Sequence, residues 1–225
     1  FYGLARINAV SIPLNTYLTS CELDKIFKEC NPRVVICTYE LYKKKIYPLL
    51  NKEILIILTD ELLELGSSDN IFELKELLVK ARKGKLPRFS ASNDQIATIN
   101  YTYSGLGKPL GAVLTHGNYH HGAIGYIRLT ESATSQRMLL VTPMSHIFTL
   151  VSCVIVPLLR GATVVIMKTF IPSHIFRAIE EHKIDFIIAV PTIYISLFRN
   201  YEKGSFDISS LKYGITAASY LSEEV

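Results

Sequence analysis

Short runs of aliphatic and β-branched residues recur along this chain, and most are followed by a segment with helical spacing. Ile54-Leu55-Ile56-Ile57-Leu58 is apolar throughout, which suits a strand buried on both faces of a parallel sheet. Comparable runs stand at Arg33 to Cys37, Ile96 to Tyr101, Met138 to Val141, Ala162 to Ile166, Asp185 to Ala189 and Leu211 to Ile215. Such alternation predicts an α/β fold with parallel sheets covered by helices on both faces. The runs form two groups, parted near Glu131 to Gln136. We therefore expect two sub-domains, residues 1–133 and a truncated 134–225.

Helix signals fall between the runs. Thr19-Ser20-Cys21-Glu22 has capping-box spacing and opens a helix to about Cys30, which Asn31-Pro32 stops. A basic amphipathic helix is predicted near Tyr42 to Leu50. Another covers Phe72 to Leu78, by its period. A helix from His146 to Leu159 ends at Gly161, and Ile171-Pro172-Ser173 opens one with proline near its start. A further helix follows Pro191-Thr192. Gly84 to Asn93 reads as a polar connector. Phe1 to Val10 reads as the second half of a helix, and Ser222 to Val225 as the first turn of one. Both ends read as those of a fragment of something longer.

Composition limits the function. The chain has 225 residues, 49% hydrophobic and none of them Trp, with a net charge of +4. A substantial core is expected, and disorder is not. Basic residues are spread out. The one cluster, Lys43-Lys44-Lys45, reads as a solvated helix face, not a nucleic-acid site. Cys21, Cys30, Cys37 and Cys153 form no C-x-x-C pair, so zinc is not expected. Buried free thiols in a reducing, cytoplasmic setting fit better. Met138 to Met167 is apolar but is broken by Pro143, His146, Pro157, Arg160 and Gly161, so it is not a membrane span.

The segment Tyr101-Thr102-Tyr103-Ser104-Gly105-Leu106-Gly107-Lys108-Pro109-Leu110-Gly111 follows a strand. Glycines in such a loop can turn backbone amides toward a phosphate, while hydroxyls and a lysine add donors and charge. It is not a Walker A loop, because no Ser or Thr follows Lys108. It is not a dinucleotide fingerprint either, because Pro109 and β-like Ala112-Val113-Leu114 stand where a helix is required. From these residues alone, a tight hairpin loop is an equal reading.

The surrounding motifs carry a resemblance. The loop, continuing to Leu114-Thr115-His116, resembles T-S-G-T-T-G-x-P-K-G followed by L-T-H of the adenylate-forming superfamily, the AMP-dependent synthetases and ligases. Asp94-Gln95-Ile96-Ala97 resembles its upstream flank. Pro143 to Phe148, with Pro157-Leu158-Leu159-Arg160-Gly161, is similar to its P-x-x-H-x-x-G helix and P-L-L-x-G exit. Val190-Pro191-Thr192 is similar to V-P-T, and Asp207 to Lys212 to D-L-S-S-L-[RK]. Thr216 to Leu221 is similar to S-G-G-A-P-L, with Tyr220 in place of proline. Ala9 to Asn15 is similar to G-A-V-x-V-P-L-N. The resemblance covers nearly the whole chain.

The resemblance implies an acyl-CoA synthetase-like fold and carboxylate activation by ATP with Mg2+, giving an acyl-adenylate that passes to CoA. A medium or long fatty acyl chain is the substrate by analogy. Thr102, Tyr103, Ser104, Gly105, Leu106, Gly107, Lys108 and Gly111 would face the nucleotide phosphates. Two alignments fit within the loop, and both place Leu110 at the motif lysine. His146, Val190, Pro191 and Thr192 would border the acyl side, with a histidine capping a buried helix as the plain alternative for His146. Ala217, Ala218 and Ser219 would lie along the adenine. His120 and His121 match no functional position and read as an exposed helical pair. The family's Y-G-x-T-E motif, ribose aspartate and catalytic lysine would lie past Val225, so no catalytic residue and no metal ligand is assigned, and these residues alone are expected to be inactive. Two alternatives stay open: a degenerate relative that binds an acyl group, a nucleotide or a partner protein without adenylation, and an adenylation domain serving a carrier protein. Peripheral membrane contact is also open.

Overall fold

A computed structural model of the chain describes residues 1–49, 54–60, 70–81, 91–103, 109–130, 136–202 and 204–220. Loop residues Ser104 to Lys108, Leu50, residues 84–90 of the connector, and 221–225 lie outside the described residues.

The first parallel sheet is built from β1 (Val34–Cys37), β2 (Leu55–Leu58) and β3 (Ile71–Glu73), in the order β1-β2-β3. After a short helix α1 (Tyr2–Arg6), α2 (Ser20–Cys30) packs on this sheet, with Leu23 and Ile26 joining Ile56 and Leu58 in one core. The predicted capping box is present. The Thr19 N–H donates to Glu22 Oε2 at 2.7 Å, and the Glu22 N–H to Thr19 Oγ1 at 3.3 Å. Asn31 ends the helix in the left-handed region, φ 42°. Asn tolerates that conformation better than most residues.

Two helical segments differ from expectation in the same way. The basic run begins as α3 (Tyr39–Leu41), widens to a π turn at Tyr42–Ile46 and tightens to a 3-10 turn at Tyr47–Leu49. The helix near His146 runs as α6 (Ile147–Thr149), a π turn at Leu150–Ile155, and α7 (Val156–Leu159). Each π turn comes just before or against a proline, Pro48 and Pro157. Proline donates no hydrogen bond, and its ring crowds the carbonyl four residues back, here Lys44 and Cys153. A widened turn relieves that crowding. Lys45 is not merely solvated: its Nζ donates to the Thr16 and Leu18 carbonyls at 2.7 and 2.8 Å.

Phe72 and Glu73, expected in a helix, belong to strand β3, and the helix α4 is Leu74–Lys80. Phe72 pairs with Ile57 of β2. An unpaired edge on a strongly apolar strand recruits neighbouring residues whatever their local period.

The described ends of the glycine-rich segment belong to an antiparallel pair, β4 (Ile96–Tyr103) with β5 (Pro109–Thr115). Ser11 bridges to the other edge of β4, giving and taking hydrogen bonds at Ala97 and Ile99. Helix α5 (His116–Leu129) follows, capped reciprocally by Thr115 and Asn118.

The second parallel sheet has the order β7-β6-β8-β9: β6 (Arg137–Leu140), β7 (Thr163–Ile166), β8 (Phe186–Ala189) and β9 (Tyr213–Thr216). Strand β8 is buried at every residue. Helices α8 (Pro172–His182) and α9 (Pro191–Asn200) cover one face, burying Ile175, Ile179 and Leu197 against Leu139 and Ile187. Met138, Leu140 and Ile188 point to the other face, beside Cys153 of the π turn. Gly161, φ 72°, ends α7 as expected.

The expected sub-domain boundary, between residues 133 and 134, lies outside the described residues. One apolar cluster draws on both sides of it, Ala97, Tyr119 and Ala123 packing with Leu150, Ile155 and Val156. The expectation of buried thiols holds for Cys153 only. Cys21 is exposed, and Cys30 and Cys37 are half-buried. Cys21 lies on the outward face of α2, away from Leu23 and Ile26. Burial holds the Cys37 thiol up at about 11, helped by the charge of Asp60.

Candidate functional site

Parallel strands all present their carboxyl ends at one edge, and α/β proteins place ligand sites along that edge. Strands β6, β8 and β9 are neighbours in one sheet. The segment with His146 follows β6, Val190-Pro191-Thr192 follows β8, and Ala217-Ala218-Ser219 follows β9. Three groups far apart in sequence therefore share one edge.

Each group has its own local geometry. His146 is exposed and is the N-cap of α6. Its Nδ1 accepts the Phe148 N–H at 3.2 Å, so in the neutral ring the proton sits on Nε2. Val190 is the N-cap of α9, with Pro191 at the first helical position, buried, and Thr192 exposed. Ala218 has φ 74°, a left-handed conformation that a Cβ disfavours. Ser219 and Tyr220 after it are exposed.

Of the phosphate-loop residues, Thr102, Tyr103 and Gly111 lie on the hairpin strands. Thr102 pairs with Leu110 and Tyr101 with Gly111. Directly paired residues point to the same face, so Thr102 and Leu110, both exposed, share one face. Gly111 serves packing on the other: a Cβ there would meet Ile99 Cγ2 at 2.9 Å and the Tyr101 ring at 3.2 Å. The Tyr103 backbone closes the described part of β4 opposite Pro109. Ser104, Gly105, Leu106, Gly107 and Lys108 lie outside the described residues.

Sequence reading passed over several residues that support these segments. Below the hairpin turn, Thr98 Oγ1 and Tyr119 Oη share a hydrogen bond of 2.8 Å, and Asn100 Nδ2 donates to both. Their alternation along β4 was the available signal. Tyr194 Oη lies 2.8 Å from the Ile187 carbonyl and 3.0 Å from that of Ile215. Burial pushes its phenol well above the usual tyrosine range. Nothing in the local pattern marks that residue. His120 and His121 are both exposed, as expected, with ring centroids 5.7 Å apart.

Among the described residues no group of three or more His, Cys, Asp or Glu could hold a metal ion. None of the described helices is long and apolar enough to cross a membrane.

Sequence comparison decides the family. The profile of the AMP-binding enzyme family matches residues 1–225. The chain belongs to that family. Its relatives within this AMP-binding family include a feruloyl-CoA synthase from Amycolatopsis sp, 26% identical over 94% of this chain and 39% of that protein. A 4-coumarate–CoA ligase from Arabidopsis thaliana is 26% identical over 100% of this chain and 40% of its own. The long-chain-fatty-acid–CoA ligase FadD13 of Mycobacterium tuberculosis is 26% identical over 99% and 42%. The chain thus spans about two fifths of the curated relatives it matches. The fold superposes on the N-terminal domain of FACL13 from Mycobacterium tuberculosis with a TM-score of 0.81 at 23% identity, covering 99% of this chain and 54% of that one. It superposes equally well, at 0.81 and 20% identity, on an anthranilate CoA ligase in complex with anthranoyl-AMP, covering 98% and 42%. The expected fold class, α/β with parallel sheets and helices, is the one observed, and it is the fold of those two structures.

Proposed function

We propose that this AMP-binding family chain is part of an adenylate-forming acid–CoA ligase. ATP would activate a carboxylate, and the acyl-adenylate would pass to CoA. The observation that carries the reading is the convergence of His146, Val190 to Thr192 and Ala217 to Ser219 on one sheet edge, in a family whose curated relatives are named as CoA ligases. Residues 1–133 would form the sub-domain with the phosphate hairpin, and 134–225 the one with the acyl and adenine edge.

The roles follow from the local geometry. Thr102 would offer a hydroxyl to the triphosphate from the exposed face of the hairpin. Val190 would present apolar surface, and His146 Nε2 a hydrogen-bond donor, to the acyl side, with buried Pro191 fixing the start of α9. The backbone of Ala217 to Ser219 would lie along the adenine. Mg2+ would arrive with ATP as part of the substrate, and no step is assigned to it. A fatty acyl substrate is the specific proposal, supported by FadD13 among the relatives. The feruloyl and coumarate ligases support an aromatic acid equally, so the substrate panel must contain both. The four free cysteines suit a reducing cytoplasmic setting.

Carboxylate-dependent release of pyrophosphate from ATP, measured on the whole protein with fatty and hydroxycinnamic acids, tests the reading. Release with neither acid class would sink it. Leu110 at the motif lysine favours a second reading, a relative that keeps the fold without adenylation. Nucleotide binding without pyrophosphate release is its signature.

A further inference from the structure

Among the described residues, strand β9 stands last in the order of its sheet, paired with β8. The residues proposed to meet the adenine follow it directly. That segment is held only as firmly as β9 is, and the ladder to β8 is one support. Tyr194 adds a second. Its ring rises from α9, two residues after Thr192, and its hydroxyl reaches the carbonyls of Ile187 on β8 and Ile215 on β9, at 2.8 and 3.0 Å. Ile187 pairs with Gly214 in the β8–β9 ladder. Gly214 has no side chain, and that gap is where the hydroxyl fits. A Cβ there would stand 3.3 Å from Tyr194 Oη and 3.5 Å from the ring.

We propose that Tyr194 is a positioning residue that registers the acyl-side helix start, Val190 to Thr192, against the adenine-side segment, Thr216 to Ser219. The inference rests on the functional reading above for the identity of the two ligands. It does not rest on it for the brace itself. One hydroxyl shares its single proton between carbonyls of both strands while its own backbone belongs to α9. A shift of β9 is therefore felt at the start of α9, and the reverse. Just past the brace, Ala218 sits in a left-handed conformation, φ 74°, that a loosened strand would release. The Tyr194 hydroxyl is taken up by two backbone carbonyls, so its effect passes through backbone position. Loss of the hydroxyl should weaken binding of both ligands and leave the chemical step alone.

The test uses Tyr194→Phe, Gly214→Ala and the double variant in the whole protein, with two readouts. Amide hydrogen exchange over residues 213–219 should rise about five- to tenfold in Tyr194→Phe, the size expected for one buried hydrogen bond. The KM for ATP and for the carboxylate should rise together by a similar factor, with kcat within about twofold. Gly214→Ala should reproduce both effects by pushing on the hydroxyl. In the Tyr194→Phe background it should add little, because the hydroxyl it would crowd is gone. Unchanged exchange in Tyr194→Phe would overturn the brace. Raised exchange with both KM values unchanged would overturn the coupling. A fall in kcat alone would instead make Tyr194 a participant in the chemistry and also overturn the proposal. If the wild type releases no pyrophosphate, the functional reading fails, and exchange with additivity of the two substitutions decides the brace.

Discussion

Gly117 lies against the backbone of Asn93. Its N–H donates to the Asn93 carbonyl at 2.8 Å, and a Cβ at Gly117 would stand 2.9 Å from that same oxygen. The connector ahead of β4 is thereby pinned to the first turn of α5, next to the Thr115–Asn118 cap. Backbone on both sides leaves little room to give. Gly117→Ala should therefore destabilise the protein by about 1–3 kcal/mol, within the range for overpacking. Gly122, in the same helix and exposed, has nothing within 4 Å of its Cβ position. Gly122→Ala should stabilise by up to about 1 kcal/mol through helix propensity. Urea unfolding of the pair checks both. Equal effects of the two substitutions would remove the special role of Gly117.

Ala218 invites the opposite substitution. It holds φ 74° at a position where the resemblance places a glycine. The left-handed region costs a non-glycine residue about 1–2 kcal/mol, and glycine gives back part of that relief because it loses more backbone entropy on folding. Ala218→Gly should stabilise by about 0.5–1 kcal/mol, read as a raised midpoint in thermal unfolding. A lowered midpoint would show that the alanine methyl makes a contact worth more than the strain.

Arg160 closes the end of helix α5. Its Nη2 donates to the carbonyls of Ile127 and Thr130 at 2.8 and 2.9 Å. Those are among the last carbonyls of the helix, which have no partner within it. Arg160→Lys keeps the charge but loses the planar fork. It should cost about 1–2 kcal/mol, and Arg160→Ala about 2–3. Chemical denaturation with an unchanged m-value is the check. Equal stability of all three proteins would assign those carbonyls to solvent.

The acid limb of stability should report Asp207. Its carboxylate takes hydrogen bonds from Ser209 and Lys183, and these hold it at about 2, below its ordinary 3.8. A carboxyl depressed by folding contributes fully above its unfolded value and loses that contribution as pH falls through the folded one. The wild type should thus lose more stability than Asp207→Asn between about pH 4 and pH 2. Parallel melting curves of the two proteins across that window would contradict this.

Much of this fold was legible in the residues because local and tertiary preferences agree. The run Ile54 to Leu58 admits little but a buried strand, and Thr19 with Glu22 can hardly do other than cap. Phe72 was misread because strand pairing with Ile57 lies outside any local window. The π turns were missed because the effect of Pro48 and Pro157 depends on helices that continue past them. The site was legible only as motifs. Their meeting at one edge follows from the strand order β6-β8-β9, which no period reveals. Tyr194 was silent because its partners are backbone carbonyls, which carry no sequence mark.

Leu110 offers the sharpest test of what the hairpin does. By resemblance it occupies the place of the motif lysine. In the structure it is exposed on β5 and paired with Thr102, so a lysine there would share a face with the Thr102 hydroxyl at little cost to folding. Leucine can donate nothing to a triphosphate. A charge-assisted hydrogen bond contributes about 1.5–3 kcal/mol. Leu110→Lys in the whole protein should therefore tighten ATP binding by about ten- to hundredfold, measured by titration calorimetry. Lys108→Ala is the companion variant. If it abolishes ATP binding while Leu110→Lys changes nothing, the charge has moved two residues along the loop and Leu110 is no defect. If neither substitution alters binding, the hairpin does not serve ATP, and the reading of this chain as a relative without adenylation takes precedence.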